Sequence, residues 1–357
     1  MSGRASVESR LRTRASGGFT LLELVVVLAI LAAVTAIASR ELSQVEDQRR
    51  FEATQKIMRD IEEAVLGSPD DRAADGSRTI SGFVADMGRL PRPKSDGTYW
   101  TLSELWANPG VALFDLRLAL TGNGVAAENR DKQVLVPGGW RGPYLRLPLG
   151  TSSLLDGWGN GFTSPAGTVT TDTDTANYPR LCKADGNAVT SVTDDIRFIR
   201  HLGANGRFDP ADQGYESDGE LLFPDAAFEA SVSGKVDVVD SYGPSGIPVP
   251  ATPDITKYIV IRLFAPNPAN LTAPINVYKV AVKFTANPVL WSIPMDSTGP
   301  TIGPRVVRAY LNPEDLTLAY PTTTSTRVSS VETVTLRGGA NQVDLVIDRT
   351  PPSPIDQ

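Results

Sequence analysis

A single carboxylate, Glu23, sits inside an otherwise apolar run, and few chains tolerate that arrangement. From Phe19 to Ala38 the sequence reads FTLLELVVVLAILAAVTAIA, and no further charge follows Glu23 until Arg40. About 20 apolar residues, rising about 1.5 Å each, are what a helix needs to cross a bilayer core. An ionised group within such a span costs several kcal/mol unless it finds a partner, so Glu23 reads as a functional residue. The segment before the span is short and basic, with Arg4, Arg10, Arg12 and Arg14 against Glu8. A basic flank of that kind keeps the N-terminus cytoplasmic and leaves the bulk of the chain to be translocated. The small-residue pair Gly17-Gly18 precedes the apolar core, whereas the cut site of a secretory signal peptide follows it. Cleavage after Gly18 would therefore leave the apolar helix on the product.

Gly18-Phe19-Thr20-Leu21-Leu22-Glu23 resembles the cleavage and methylation signal of type IV pilins and of the pseudopilins of type II secretion systems. The resemblance implies that residues 1–18 are a leader removed by prepilin peptidase. Phe19 would become the N-methylated amino terminus, and Glu23 would be the fifth residue of the mature chain. It also implies a partner for Glu23, the Phe19 amine of a neighbouring subunit. Opposite charges in apolar surroundings attract strongly, while either alone is penalised. A plain signal anchor with Glu23 near the membrane interface is the blander alternative.

The helical pattern continues past the apolar run. Residues 40–66 contain neither Gly nor Pro, and Leu42, Val45, Phe51, Thr54, Ile57, Met58, Ile61, Val65 and Leu66 recur near helical spacing. Gly67-Ser68-Pro69 is a stop signal. The expectation is one long helix over 19–66, with a transmembrane half at 19–38 and an amphipathic half at 40–66. Pilins and pseudopilins commonly carry a proline near the twenty-second mature residue, where this chain has Arg40.

A net charge of −7 weighs against nucleic acid as a partner, since binding it takes a basic patch. Cys182 is the only cysteine, so an intramolecular disulfide is excluded. Residues 67–222 read as a head. Two of its stretches, Gly139-Trp140-Arg141-Gly142-Pro143-Tyr144-Leu145 and Asp156-Gly157-Trp158-Gly159-Asn160, are similar to the W-x-GPYL and D-x-WGNP motifs of the major pseudopilin. Gly161 stands where that family usually has proline. These tryptophans and glycines read as packing and turn determinants, not as chemistry.

Residues 201–219, HLGANGRFDPADQGYESDG, set Asn205, Asp209, Asp212, Glu216 and Asp218 among four glycines. Converging oxygen ligands in a Gly-rich loop suit Ca²⁺, although the spacing is not that of an EF-hand and a solvated acidic surface loop remains the alternative. Leu202-Gly203-Ala204-Asn205-Gly206 resembles the calcium loop of the major pseudopilin, with an amide at Asn205 in place of the usual carboxylate. The resemblance implies ligation through the Leu202 carbonyl and the Asn205 side chain. Asp212 and Asp218 are the choices for the later carboxylates.

Residues 223–349 go beyond a pseudopilin head. Lys235–Asp240, Tyr258–Phe264, Ile275–Phe284, Arg305–Leu311, Val331–Arg337 and Gln342–Asp348 read as β segments, and Gly338–Asn341 reads as a hairpin turn. Together they predict a small β-sandwich. The Thr-rich stretches 168–175 and 322–326 read as loops, and 350–357 as a disordered tail. The fold class is thus α+β: a long N-terminal helical stem, a pilin-like head with a small antiparallel sheet, and a C-terminal sandwich.

Catalysis finds little footing. His201 is the single histidine and stands nineteen residues from Cys182, without a family signature. Asp194-Asp195 are adjacent and would point to opposite faces of a strand, so they make a poor carboxylate pair. The leading expectation is a non-enzymatic filament subunit, a type II secretion pseudopilin supporting protein export. It would partner with copies of itself, other pilin-like subunits, prepilin peptidase, an inner-membrane assembly platform and the lipid bilayer. The chain would span the inner membrane once, with its C-terminal domains periplasmic or extracellular. The alternative is a type IV pilus or minor tip subunit whose sandwich binds a sugar or protein, with Trp291 and Tyr310 as the candidate aromatic platform. An anchored hydrolase is a third reading, which the sparse His/Cys inventory opposes.

Overall fold

The computed structural model describes residues 20–68, 70, 80–119, 134–166, 180–207, 213–242, 247–267, 275–295, 299–311, 327–329 and 332–349. Contacts divide the chain into two compact units, Met1–Arg49 and Arg50–Gln357. Helix α1 runs from Leu21 to Leu66 and passes through Arg40 unbroken, as the uninterrupted pattern requires. In the first unit, every described side chain from Thr20 to Ser39 is exposed. In the second unit, Met58, Ile61 and Val65 repeat at helical spacing and are buried. The helix stops at Gly67, whose φ is +82° and whose N–H donates to the Glu63 carbonyl at 2.8 Å. A Cβ there would lie 2.3 Å from the Ser81 carbonyl oxygen, so only glycine fits.

The core around the end of α1 is closed by short elements. Helix α2 is Phe83–Met87. Strands β1 (Lys94–Ser95), β2 (Tyr99–Thr101) and β5 (Thr163–Pro165) form one antiparallel sheet, with β2 in the middle. β3 (Asp115–Ala119) pairs with β4 (Leu135–Gly138). β6 (Leu181–Cys182), β7 (Phe198–His201) and β8 (Gly219–Leu222) form a third antiparallel sheet. Ile61, Val65, Phe83, Met87, Leu102, Leu105, Ile196, Ile199 and Phe223 pack together between these sheets and α1.

After the one-turn helix α3 (Asp225–Phe228), the chain builds the expected sandwich. One sheet centres on the long strand β9 (Ala230–Tyr242). β10 (Pro248–Pro250) and β13 (Val289–Ile293) run antiparallel along one side of it. β17 (Gly339–Gln342) and β18 (Leu345–Asp348) run parallel along the other. The second sheet orders β12 (Ile275–Lys283), β11 (Tyr258–Pro266) and β14 (Gly303–Leu311), with β15 (Arg327–Val328) and β16 (Glu332–Leu336) both on the far side of β14. Val236, Val238, Ile259, Ile261, Leu263, Val307, Ala309 and Ile347 fill the space between the sheets. On β12, Tyr278, Val280 and Val282 face that core while Lys279 and Lys283 are exposed, matching the alternation in the sequence.

Two expectations are corrected. Gly338–Asn341 is not a hairpin: β16 pairs with β14 in one sheet, and Gly339–Gln342 is itself a strand pairing with β9 in the other. The Asn341 side chain shapes this crossing by accepting the Arg337 N–H and donating to the Arg337 and Ser231 carbonyls. Trp291 and Tyr310 form no platform, because they are 4% and 0% exposed. Trp291 lies on β13, a strand the pattern reading did not list, where Val289, Trp291 and Ile293 alternate inward.

The sandwich and the α1-bearing core meet along a packed seam. Val134 and Val136 of the β4 segment cluster with Phe264, Ile275 and Val306 of the second sheet. Gly138 and Gly88 both lie so close to Pro266 that an added Cβ would approach it to 2.2 Å. Arg305 of β14 is wholly buried and donates to the Ala85 carbonyl at 3.0 Å and to the Val84 carbonyl at 3.5 Å.

Candidate functional site

Two places were singled out by sequence: the start of α1 and the acidic loop. Gly18 and Phe19 lie outside the described residues. From Thr20 onward the geometry is that of a capping box. The Thr20 hydroxyl accepts the Glu23 N–H at 3.2 Å, and the Glu23 carboxylate accepts the Thr20 N–H and hydroxyl, each at 3.0 Å. The carboxylate is thereby turned back toward the N-terminal end of the chain. Thr20 is a helix-capping residue to which the motif reading gave no role, although Thr-x-x-Glu before an apolar run is the sequence signal of a capping box.

Downstream of this cap the helix offers a continuous apolar surface. Leu24, Leu28, Leu31, Val34 and Ile37 are all exposed. Water does not tolerate a contiguous apolar surface of this kind, so lipid or other apolar helices must cover it.

The acidic loop grows from β7, which delivers His201 and Leu202 into the interior. The loop closes on itself where the Ala204 N–H donates to the Tyr215 carbonyl at 2.7 Å. Gly203, at φ +25°, passes the Glu216 carbonyl so closely that a Cβ would sit 2.1 Å from its oxygen. The Asn205 amide oxygen accepts the Arg207 N–H at 2.8 Å, which orients it within the turn that also carries Leu202. Asp218 lies within electrostatic reach of buried Arg180, which also faces Asp156 at 3.8 Å. Asp209 and Asp212 lie outside the described residues. Among the described residues, no three His, Cys, Asp or Glu side chains gather as a metal site. The oxygen donors that are placed, a carbonyl, an amide and a carboxylate, are of the hard type that Ca²⁺ prefers.

His201 anchors the base of this loop. Its Nε2 lies 3.2 Å from Gln55 Nε2 of α1, and its ring meets Phe51 edge-on. Gly219 has no side chain because the imidazole occupies that space, with Nε2 only 2.1 Å from where a Cβ would be. Burial lowers the His201 pKa, Asp156 opposes that shift and Arg180 reinforces it. The imidazole is therefore neutral near pH 7 and fastens the loop to α1.

The two tryptophan motifs also dock on their neighbours as packing elements. Asp156 accepts the N–H groups of Trp158 at 2.9 Å and Asn160 at 2.7 Å, making the turn. Gly157 then donates to Thr54 of α1 at 2.9 Å, at a contact too close for any Cβ. Trp140 donates through Nε1 to the Glu104 carbonyl at 3.0 Å.

Comparison with known families adds one finding about the first of these sites. A family model described as "Prokaryotic N-terminal methylation motif" matches residues 13–39. The chain carries a prokaryotic N-terminal methylation motif. That motif is a type IV pilin-like signal, and here it heads an apolar helix long enough to span a membrane. It spans the proposed cut site, the Thr20–Glu23 cap and the exposed apolar face. No curated protein and no solved structure matches the chain.

Proposed function

We propose that this protein is a non-catalytic subunit of a pilus-like filament, and specifically a pseudopilin that supports protein export by a type II secretion system. The observation that carries this reading is the methylation motif at 13–39 heading a helix whose first half is wholly exposed and apolar. The second half, past Arg50, is built into a folded core. A subunit of this design is cut after Gly18, methylated at Phe19 and anchored in the inner membrane by residues 19–38, with its C-terminal part outside the cytoplasm. Glu23 pairs with the Phe19 amine of a neighbour, and the apolar faces of successive subunits cover one another. The Trp140 and Asp156–Asn160 motifs favour the secretion pseudopilin over a twitching or adhesive pilus.

The acidic loop binds Ca²⁺ in this reading, through the Leu202 carbonyl, the Asn205 amide oxygen and the carboxylates of Asp212 and Asp218. A bound ion would supply charge neutralisation and rigidity to the loop, without any reaction. Ligand binding by the sandwich is less favoured, since Trp291 and Tyr310 are in its core. Deletion of the gene decides between the two filament roles. Loss of export of a secreted enzyme, with surface pili intact, supports the pseudopilin; loss of surface pili with export intact overturns it.

A further inference from the structure

Asparagine followed by glycine occurs at Asn123-Gly124, Asn160-Gly161 and Asn205-Gly206. The pairing matters chemically because glycine has no Cβ, so its backbone nitrogen is open to the side-chain carbonyl carbon of the residue before it. Asn123 and Gly124 lie outside the described residues. The other two pairs stand in opposite settings.

Asn160 is tied down on every side. Its N–H donates to Asp156 Oδ1 at 2.7 Å, its Nδ2 donates to Asp156 Oδ2 at 3.3 Å, and its carbonyl accepts the Asp156 N–H at 2.8 Å. Gly161 is bridged to Leu155, and its carbonyl holds the Arg180 guanidinium at 3.0 Å. These bonds draw the Asn160 side chain back toward Asp156, away from the Gly161 nitrogen. Freeing it would dismantle the turn that docks Gly157 on Thr54.

Asn205 is exposed, and its side chain is folded the other way. Its amide oxygen accepts the N–H of Arg207, two residues on, at 2.8 Å. This Asx turn lays the side-chain carbonyl over the intervening Gly206 peptide, and the same bond draws electron density from Cγ. Gly206 has a φ of +64°, a conformation that suits glycine. Among the described residues its N–H meets no acceptor. Electrophile and nucleophile are thus side by side, with water at hand.

We propose that Asn205 is a self-modifying residue, which converts through a cyclic imide with the Gly206 nitrogen into aspartate and β-linked aspartate. The Gly206 nitrogen attacks Asn205 Cγ. A bond forms between them, the Cγ–Nδ2 bond breaks, and ammonia leaves with the proton that the Gly206 nitrogen gives up. Water then opens the imide. Addition at Cγ yields aspartate, while addition at the backbone carbonyl carbon leaves the chain running through Cγ. One water is consumed and one ammonia released, with no change of oxidation state and no enzyme or metal.

Either product adds a negative charge to a chain already at −7. The β-linked product also inserts one backbone atom next to the Ala204–Tyr215 bond that closes the loop. That closure has little room to adapt, because Gly203 already passes the Glu216 carbonyl at a distance only glycine allows. The loop therefore changes in charge and in closure as the molecule ages.

The test is incubation of the full chain in detergent micelles at pH 7 and pH 8, followed by digestion, chromatography and mass measurement of the peptides carrying residues 160 and 205. The 205 peptide should gain the mass that exchanging an amide NH2 for OH brings, as two chromatographically distinct products. Its conversion should be about tenfold faster at pH 8, because the nitrogen attacks as its anion, whose fraction rises in that proportion far below its pKa. The 160 peptide should lag behind it in the folded chain and draw level in denaturant. Asn205→Gln should abolish the conversion at 205, since the longer side chain would have to close a six-membered ring. An Asn205 that keeps its amide, or that converts no faster than Asn160 in the folded chain, would overturn the proposal. So would a single, pH-independent product, which is the mark of direct hydrolysis.

Discussion

Thr20 and Glu23 hold each other at the start of α1, each accepting the other's backbone N–H, at 3.2 Å and 3.0 Å respectively. The carboxylate proposed to serve assembly is therefore also a helix cap, and the two roles can be separated. Glu23→Gln keeps an acceptor for the Thr20 N–H but removes the charge. If pairing with a neighbour's Phe19 amine is what matters, Glu23→Gln and Glu23→Leu should both insert in the membrane and fail to form filaments. Thr20→Val should cost about 0.5–2 kcal/mol of local helix stability, seen as faster exchange in the first turn. Normal filaments from Glu23→Gln would reduce the residue to its capping role.

Processing has a direct readout. The intact mass of protein extracted from membranes should equal residues 19–357 plus one methyl group. An uncut chain would end the pilin-like reading of Gly18 and Phe19, whatever the head looks like.

Helix α1 was legible because its signals are local: an unbroken helical pattern and Gly67 at its end. Among the sandwich strands β12 was legible for the same reason, since period-two alternation marks it in the sequence itself. What escaped depends on partners distant in the chain. Gly339–Gln342 looks like a turn until β9 is placed beside it, more than a hundred residues earlier. Trp291 looks like a surface aromatic until the second sheet closes over it. Asp86 and Arg305 are ordinary charged residues in sequence, and only the seam buries them both. The acidic loop was half legible: its glycines do make the close turn, with Gly203 against Glu216, while Asp212 lies outside the described residues.

Calcium should raise the melting temperature of the full chain in detergent if the acidic loop binds it, and chelation should reverse the rise. Asp212→Ala and Asn205→Ala should each reduce the shift, because hard-oxygen sites lose affinity with each ligand removed. Asp218→Ala is a weaker test, since Asp218 also acts on buried Arg180 and its loss should lower stability without calcium. An identical melting temperature with calcium and with chelator would leave the loop as a solvated surface.

The seam makes a prediction about cooperativity. Gly138 stands in β4, on the α1-bearing side, and an added Cβ would come within 2.2 Å of Pro266 Cβ at the end of β11. Gly138→Ala therefore forces the two sides apart without touching the sandwich interior, and overpacking of this kind costs about 1–3 kcal/mol. Arg305→Met strikes the same seam from the other side, removing the donor to the Ala85 carbonyl while the Val84 carbonyl keeps the Gly88 N–H at 2.9 Å, at about 1–3 kcal/mol for a buried acceptor left unsatisfied. Arg305→Lys should rescue little, because one ammonium cannot reproduce a fork that reaches carbonyls on both α2 and the Thr301–Pro304 segment. If the sandwich and the α1-bearing core unfold together, Gly138→Ala should lower the protection of amides in β9 and β11 as much as that of the buried end of α1. A sandwich whose protection is unchanged by Gly138→Ala would be an autonomous module, and its carriage on the stem would then need a reason other than shared stability.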